Sequence, residues 1–166
     1  HLAERLTAKL PRARARPPLD LPIQHADDGV LRAMRRGVTR RRMAQVIGQL
    51  RAALSDATLR TTVLVGFPGE TEAAFEGLLE FLDEIRFDRV GVFTYSAEEG
   101  TPAARADFGA APVAPEVAAE RARLVEESQD RLAWERQAAR SGARNARSSS
   151  SSRKSGQSAS EKYSSA

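Results

Sequence analysis

The chain has 166 residues and not one cysteine. That absence excludes disulfides, zinc–thiolate sites, cysteine nucleophiles and thiolate-held iron–sulfur clusters from these residues. Aromatic residues make up only 5%, with a single tryptophan, and there are only two histidines. No run approaches the roughly 18 apolar residues of a membrane span. The amino-terminal stretch lacks a signal-peptide pattern as well, because Arg12, Arg14 and Arg16 lead into Pro17 and Pro18 rather than an apolar segment. A cytoplasmic protein without membrane contact is the expectation. Neither Gly-x-Gly-x-x-Gly nor Gly-Lys-Ser/Thr occurs, which removes the common glycine-rich phosphate cradles.

The body carries no excess charge of either sign. The net charge is +4, and in the last 26 residues five cations face Glu161 alone, so the whole excess sits in the tail. A dedicated nucleic-acid surface in residues 1–140 therefore has no support from charge. The same tail holds eleven serines. Nothing in it can bury a core, and residues 141–166 read as a serine-rich disordered tail.

What is present is an alternation of strand and helix signals. Residues 1–18 are basic, carry Leu2, Leu6 and Leu10, and stop at Pro17-Pro18: the remnant of a preceding helix or loop. Leu19, Leu21 and Ile23 alternate with polar residues, predicting a strand over 19–25 whose Pro22 lacks a ladder donor. Asp27 or Asp28 caps a short helix with Val30, Leu31 and Met34 on one face and Gly37 as its terminator. Thr39 caps a second helix carrying Met43, Val46, Ile47, Leu50 and Leu54. A second strand follows at 59–66, and its unalternating Val63-Leu64-Val65 predicts burial on both faces. From Thr71, a helix aligns Phe75, Leu78, Leu79, Leu82 and Ile85. A third strand, 89–96, precedes a Pro/Gly/Ala loop at 98–115. Pro115 then opens a long helix to about 140, on which Trp134 is expected to pack onto the body. Strand, helix, strand, helix, strand at these intervals predicts βαβ units and a parallel sheet.

Ligands of parallel α/β sheets sit at the carboxyl ends of strands. Three such ends are readable: Gln24-His25, Gly66-Phe67-Pro68-Gly69-Glu70, and Thr94-Tyr95-Ser96 leading to Glu98-Glu99-Gly100-Thr101. At the second, Glu70 and Glu72 hold the positive end of the helix dipole, so a phosphate is excluded. Gly66 serves tight packing, or lets a flat apolar group approach the backbone. His25 reads as a hydrogen-bonded structural residue before it reads as a general base. Arg35-Arg36 and Glu98-Glu99 read first as solvated charges.

Taken together, DLPIQHADDGVLRAMRRG, LRTTVLVGFPGETEAAF and FDRVGVFTYSAEEGTPAA resemble the second half of the radical S-adenosylmethionine (SAM) domain of the methylthiotransferases, from about Leu19 to Ala104 and more weakly to Arg136. Gln24-His25, Arg60-Thr61-Thr62 and Tyr95-Ser96-Ala97-Glu98-Glu99-Gly100-Thr101 are similar to the branch that modifies an aspartate of small-subunit ribosomal protein twelve. The branch that thiomethylates a tRNA adenosine, which typically has an arginine in the last loop, is the alternative; a non-enzymatic basic RNA-binding fragment is another.

The resemblance implies an α/β fold: a partial (β/α) radical SAM barrel with parallel strands, then a long helix and a disordered tail. In segments, it implies the second half of the radical SAM domain over 19–108, a connecting helix over 113–140 and the tail over 141–166. It implies SAM across the strand ends. Gln24 would meet the ribose hydroxyls, Arg36 the methionyl carboxylate, Thr62 would stand near the cofactor, Val65 and Gly66 would pack against adenine, and Phe93 or Tyr95 would bound the pocket. The family reaction abstracts hydrogen from the aspartate β-carbon and installs a methylthio group, using two four-iron four-sulfur clusters. Their cysteines are absent here, so no metal ligand and no catalytic residue is assigned, and the chain is expected to start mid-barrel, to lack the carboxy-terminal substrate domain and to be inactive alone. The ribosomal protein is the implied partner, with a ribosomal RNA contact through the basic tail.

Overall fold

Strand and helix follow the two periodicities in the sequence. A computed structural model describes residues 18–54, 57–105 and 108–160, with side chains of the last helix given up to Ala139 and at Ser141. The elements are β1 (Leu19–Asp20), α1 (Asp28–Ala33), α2 (Arg40–Ala53), β2 (Leu59–Val65), α3 (Glu72–Ile85), β3 (Arg89–Thr94), a 3₁₀ turn (Pro102–Ala104) and α4 (Pro115–Ser160). The strands form one open parallel sheet in the order β1-β2-β3. This is the expected α/β arrangement of parallel strands followed by a long helix. The helix or loop remnant expected over 1–18 lies outside the described residues, apart from Pro18.

Helices α1, α2 and α3 each start where a capping side chain replaces a missing backbone acceptor. Asp27 accepts from Gly29 and Val30 N–H at 2.8 and 2.9 Å, Thr39 from Arg42 N–H at 3.3 Å, and Thr71 from Ala74 N–H at 3.2 Å. The end of α1 differs from expectation. Arg36 N–H reaches Leu31 O at 2.8 Å and Arg35 N–H reaches Arg32 O at 2.9 Å, which is a Schellman closure. The left-handed residue is Arg35, at φ +56°, and not Gly37.

β1 is shorter than the expected 19–25, and the reason is Pro22. Leu19 lies opposite Leu59 and Asp20 opposite Arg60, yet Gln24 lies opposite Val63, so β1 carries one extra residue between. That is a bulge. The Thr61 hydroxyl fills the gap: it donates to Leu21 O at 2.7 Å and accepts from Ile23 N–H at 3.4 Å. Beyond the bulge, Gln24 N–H donates to Thr62 O and Gln24 O accepts from Leu64 N–H. Gln24 itself takes φ +68°.

The expectation that β2 is buried on both faces is corrected. Leu59, Thr61, Val63 and Val65 are buried, whereas Arg60 is exposed and Thr62 and Leu64 are half-buried. Among the described residues the helices cover one face only. The core under that face joins Val63 and Val65 to Leu31, Ile47, Phe75, Leu78, Phe81, Leu82, Phe87 and Val125. Phe81 is fully buried in the α3 stripe, where the sequence pattern had placed Leu79 and Ile85, both partly buried.

The chain divides into two units, His1–Gln129 and Asp130–Ala166. In the second, α4 runs past the expected end near 140 and through the serine-rich stretch to Ser160. No proline follows Pro115 to interrupt it. Residues 161–166 of the expected tail lie outside the described residues. Trp134 does not pack onto a core: it is 73% exposed. Leu132 is buried, and a residue two positions on points to nearly the opposite side of a helix.

Candidate functional site

A cavity of about 430 Å³ opens at the carboxyl ends of the strands. This is where ligands of parallel sheets bind, and its size falls within the roughly 300–1,000 Å³ of small-molecule sites. β1 contributes Gln24, and α1 with its closure contributes Ala33, Met34, Arg35 and Arg36. β2 and the turn after it add Leu64 and Phe67. β3 and the loop beyond add Thr94, Tyr95, Ser96, Glu98, Thr101, Pro102, Ala103 and Phe108.

Local structure explains why these side chains converge. The bulge and left-handed backbone at Gln24 interrupt strand alternation, leaving Ile23 and His25 buried on either side of it. The Schellman closure turns the chain sharply so that two arginines follow α1 at the cavity. Among described non-glycine residues, positive φ occurs at Gln24, Arg35 and Arg86, and the first two line this cavity. Such conformations cost free energy and gather at ligand sites. Phe67 stands edge-on to Tyr95, with centroids 5.2 Å apart, and to Phe108 at 5.8 Å. The loop after β3 is held by Thr101, whose hydroxyl and N–H both donate to Glu98 O, at 2.8 and 3.1 Å.

The turn Gly66–Glu70 explains why no phosphate belongs there. Glu70 accepts from Gly66 N–H and from Phe67 N–H (3.1 Å), so the amides that would cradle an anion already hold a carboxylate. Glu70 was expected to serve the helix dipole; it is instead 4% exposed and folded back into the turn, with Thr71 as the cap. Gly66 has φ +77°, and a Cβ on it would overlap Ala118 Cβ of α4. Only glycine meets both conditions. His25 is buried and accepts Asp27 N–H at Nδ1 (3.0 Å), a structural arrangement that removes Nδ1 as a base.

Three of the seven residues singled out from the sequence line the cavity: Gln24, Arg36 and Tyr95. The other four do not. Thr62 lies on the open face opposite Gly91. Val65 buries its side chain in the core, and only its carbonyl faces β3, accepting Tyr95 N–H at 2.8 Å. Gly66 is covered by α4. Phe93 is 64% exposed beside Leu64. Sequence reasoning passed over Arg35, read as a solvated helix end, and Phe67, which sat inside the turn motif itself. Phe108 carried no signal.

The residues present suit a nucleoside bearing an amino-acid tail. Gln24 offers a donor and an acceptor, Arg35 and Arg36 offer guanidinium forks, and three rings offer apolar walls. Tyr95 Oη is shielded from solvent without a hydrogen-bond partner among the described residues, an atom that a polar ligand group would satisfy. Iron–sulfur clusters do not fit, since the chain offers no thiolate. Among the described residues no His/Asp/Glu group is arranged to hold a metal, and no helix is long and apolar enough to cross a membrane.

No family model matches the chain. Individual curated proteins do. It is 50% identical over 105 residues to ribosomal protein uS12 methylthiotransferase RimO of Desulforamulus reducens, covering 60% of this chain and 24% of that protein. It is 52% identical over 113 residues to the protein of that name from a Synechococcus species, covering 68% and 23%. To that from Trichormus variabilis it is 58% identical over 87 residues, covering 52% and 20%. The chain thus spans about a quarter of the length of the curated relatives it matches. These similarities support reading the chain as a fragment of a RimO-type radical SAM methylthiotransferase.

Proposed function

We propose that this chain forms the SAM-holding half of a RimO-type barrel and, as part of the whole protein, serves methylthiolation of ribosomal protein uS12. The observation that carries the reading is the cavity at the strand ends, where Gln24, Arg36 and Tyr95 converge in a chain similar to enzymes named for that activity. Bound SAM supplies the radical-forming sulfonium chemistry of the family. The work of this chain's residues is to hold and orient it. Gln24 engages the ribose hydroxyls and Arg36, with Arg35 beside it, engages the methionyl carboxylate. Phe67, Tyr95 and Phe108 shield the adenine and exclude water, with Tyr95 Oη donating to a ligand acceptor.

The acceptor is an aspartate side chain of the ribosomal protein, reached in the cytoplasm where ribosomal proteins work. The loop carrying Glu98 and Glu99 at the cavity mouth favours a protein substrate over a phosphate-rich tRNA, because adjacent carboxylates repel phosphates. Nothing described favours a ribosomal RNA contact through the basic tail. With no cysteine, these 166 residues alone are not expected to cleave SAM.

Calorimetric titration of SAM into the chain tests the reading. One saturable site is expected, weakened about tenfold by Gln24→Ala or Arg36→Ala, the scale of one lost charge-assisted or polar contact. No binding by the parent chain removes the reading; unchanged affinity in either variant removes that residue's assignment.

A further inference from the structure

Behind the cavity wall lies a buried set of charged groups that the proposed function does not use. Glu70 Oε1 lies 3.3 Å from Arg121 Nη1 and 3.9 Å from His25 Nε2. Its other oxygen holds the amides of Gly66 and Phe67. Arg121, itself buried on α4, donates through Nη1 to the Glu70 carbonyl at 3.1 Å and through Nη2 to Glu72 at 2.9 Å. Its guanidinium lies over the Phe75 ring at 5.3 Å. Because His25 Nδ1 accepts a backbone N–H, its proton sits on Nε2, on the Glu70 side. The end of β1, the turn after β2, and α4 thus meet on one carboxylate.

None of these three side chains lines the cavity, yet two of them adjoin a residue that does. His25 follows Gln24, and Glu70 grips the amide of Phe67, whose ring forms the wall with Tyr95. A buried carboxylate keeps its charge only while paired and hydrogen-bonded. Removing the arginine leaves Glu70 stranded, and the turn must then rearrange or admit water.

We propose that Glu70 and Arg121 are positioning residues: the α4 arginine holds the Glu70 carboxylate, which fixes the turn and thereby the Phe67 and Gln24 side of the ligand cavity. The choice of SAM as the probe rests on the proposed function; the linkage itself does not.

The experiment compares the parent chain with Arg121→Met, Arg121→Lys and Glu70→Gln. SAM affinity is measured by calorimetry, fold by circular dichroism, and exchange of the Gly66 and Phe67 amides by NMR. Arg121→Met is expected to keep its helix content yet bind SAM roughly tenfold more weakly, the middle of the range for neighbours in one network. Both amides should exchange faster, and Arg121→Lys should recover part of each loss. Arg123→Met, on the exposed side of the same helix where Arg123 pairs with Glu120 and Glu127, should change neither. Folded Arg121→Met that binds SAM as tightly as the parent overturns the proposal. If the parent chain binds no SAM, the SAM reading falls and the amides decide the linkage, unchanged exchange overturning it. If Arg121→Met does not fold, Glu70→Gln carries the comparison, being isosteric and still able to accept from both amides.

Discussion

The two faces of the sheet are made by alternate residues of the same strands, and they do different work. On the helix side, Leu59, Val63 and Val65 disappear into a core with Phe75, Leu78 and Phe81. On the other side, Arg60, Thr62, Leu64 and Phe93 form a surface that no described helix covers. Stability resides on the first face. The second face and its carboxyl rim hold the ligand-sized cavity, the strained backbone at Gln24 and Arg35, and the buried Tyr95 hydroxyl, which has no partner among the described residues.

Substitutions can break that division. Phe81→Ala, on the covered face, should cost about 3–5 kcal/mol in urea unfolding, enough to unfold a marginal unit. Gly66→Ala should cost about 2–3 kcal/mol, since it adds left-handed strain to an overlap with Ala118. Combining it with Ala118→Gly should recover only the overlap. Thr61→Val keeps the shape but leaves Leu21 O and Ile23 N–H unpaired, for about 1–2 kcal/mol. Phe93→Ala, on the open face, should stay within about 0.5 kcal/mol. A Phe93 loss matching that of Phe81 would mean that the second face is as covered as the first.

The smallest effect is electrostatic. The hydrogen bond from Arg123 holds the exposed Glu120 carboxyl below its ordinary value of 4.5. Its contribution is therefore complete above 4.5 and disappears as pH falls through the lower folded value. A slight fall in thermal midpoint over that window, absent in Glu120→Gln, is the expected reading.

The legible parts of this fold are those that depend on near neighbours. The caps at Asp27, Thr39 and Thr71 and the 3.6-residue stripes of α2 and α3 follow from residues within a turn or two of one another. What escaped depends on partners far along the chain. An apolar Val63-Leu64-Val65 looks the same whether its second face meets a helix or remains open. Glu70 resembles any acidic residue before a helix until Arg121, 51 positions on, is brought against it. Gln24, Arg36 and Tyr95 were found through resemblance rather than local chemistry. Arg35 was overlooked because a glycine two residues later seemed the natural helix terminator.

The bulge at Pro22 also orders events in time. β2 and β3 pair continuously from Arg60–Arg89 to Val65–Thr94, whereas β1 is fastened by a short ladder, a side-chain hydroxyl and one bridge. β2 must already present Thr61 before β1 can seat, so the β1 seam closes late in folding and opens early in native-state fluctuation. The amide of Gln24 should therefore lose its hydrogen to solvent well before those of Val63 and Val65. The cavity wall that carries Gln24 would then be the part of the sheet that breathes most, and capture of a ligand there would itself complete the fold.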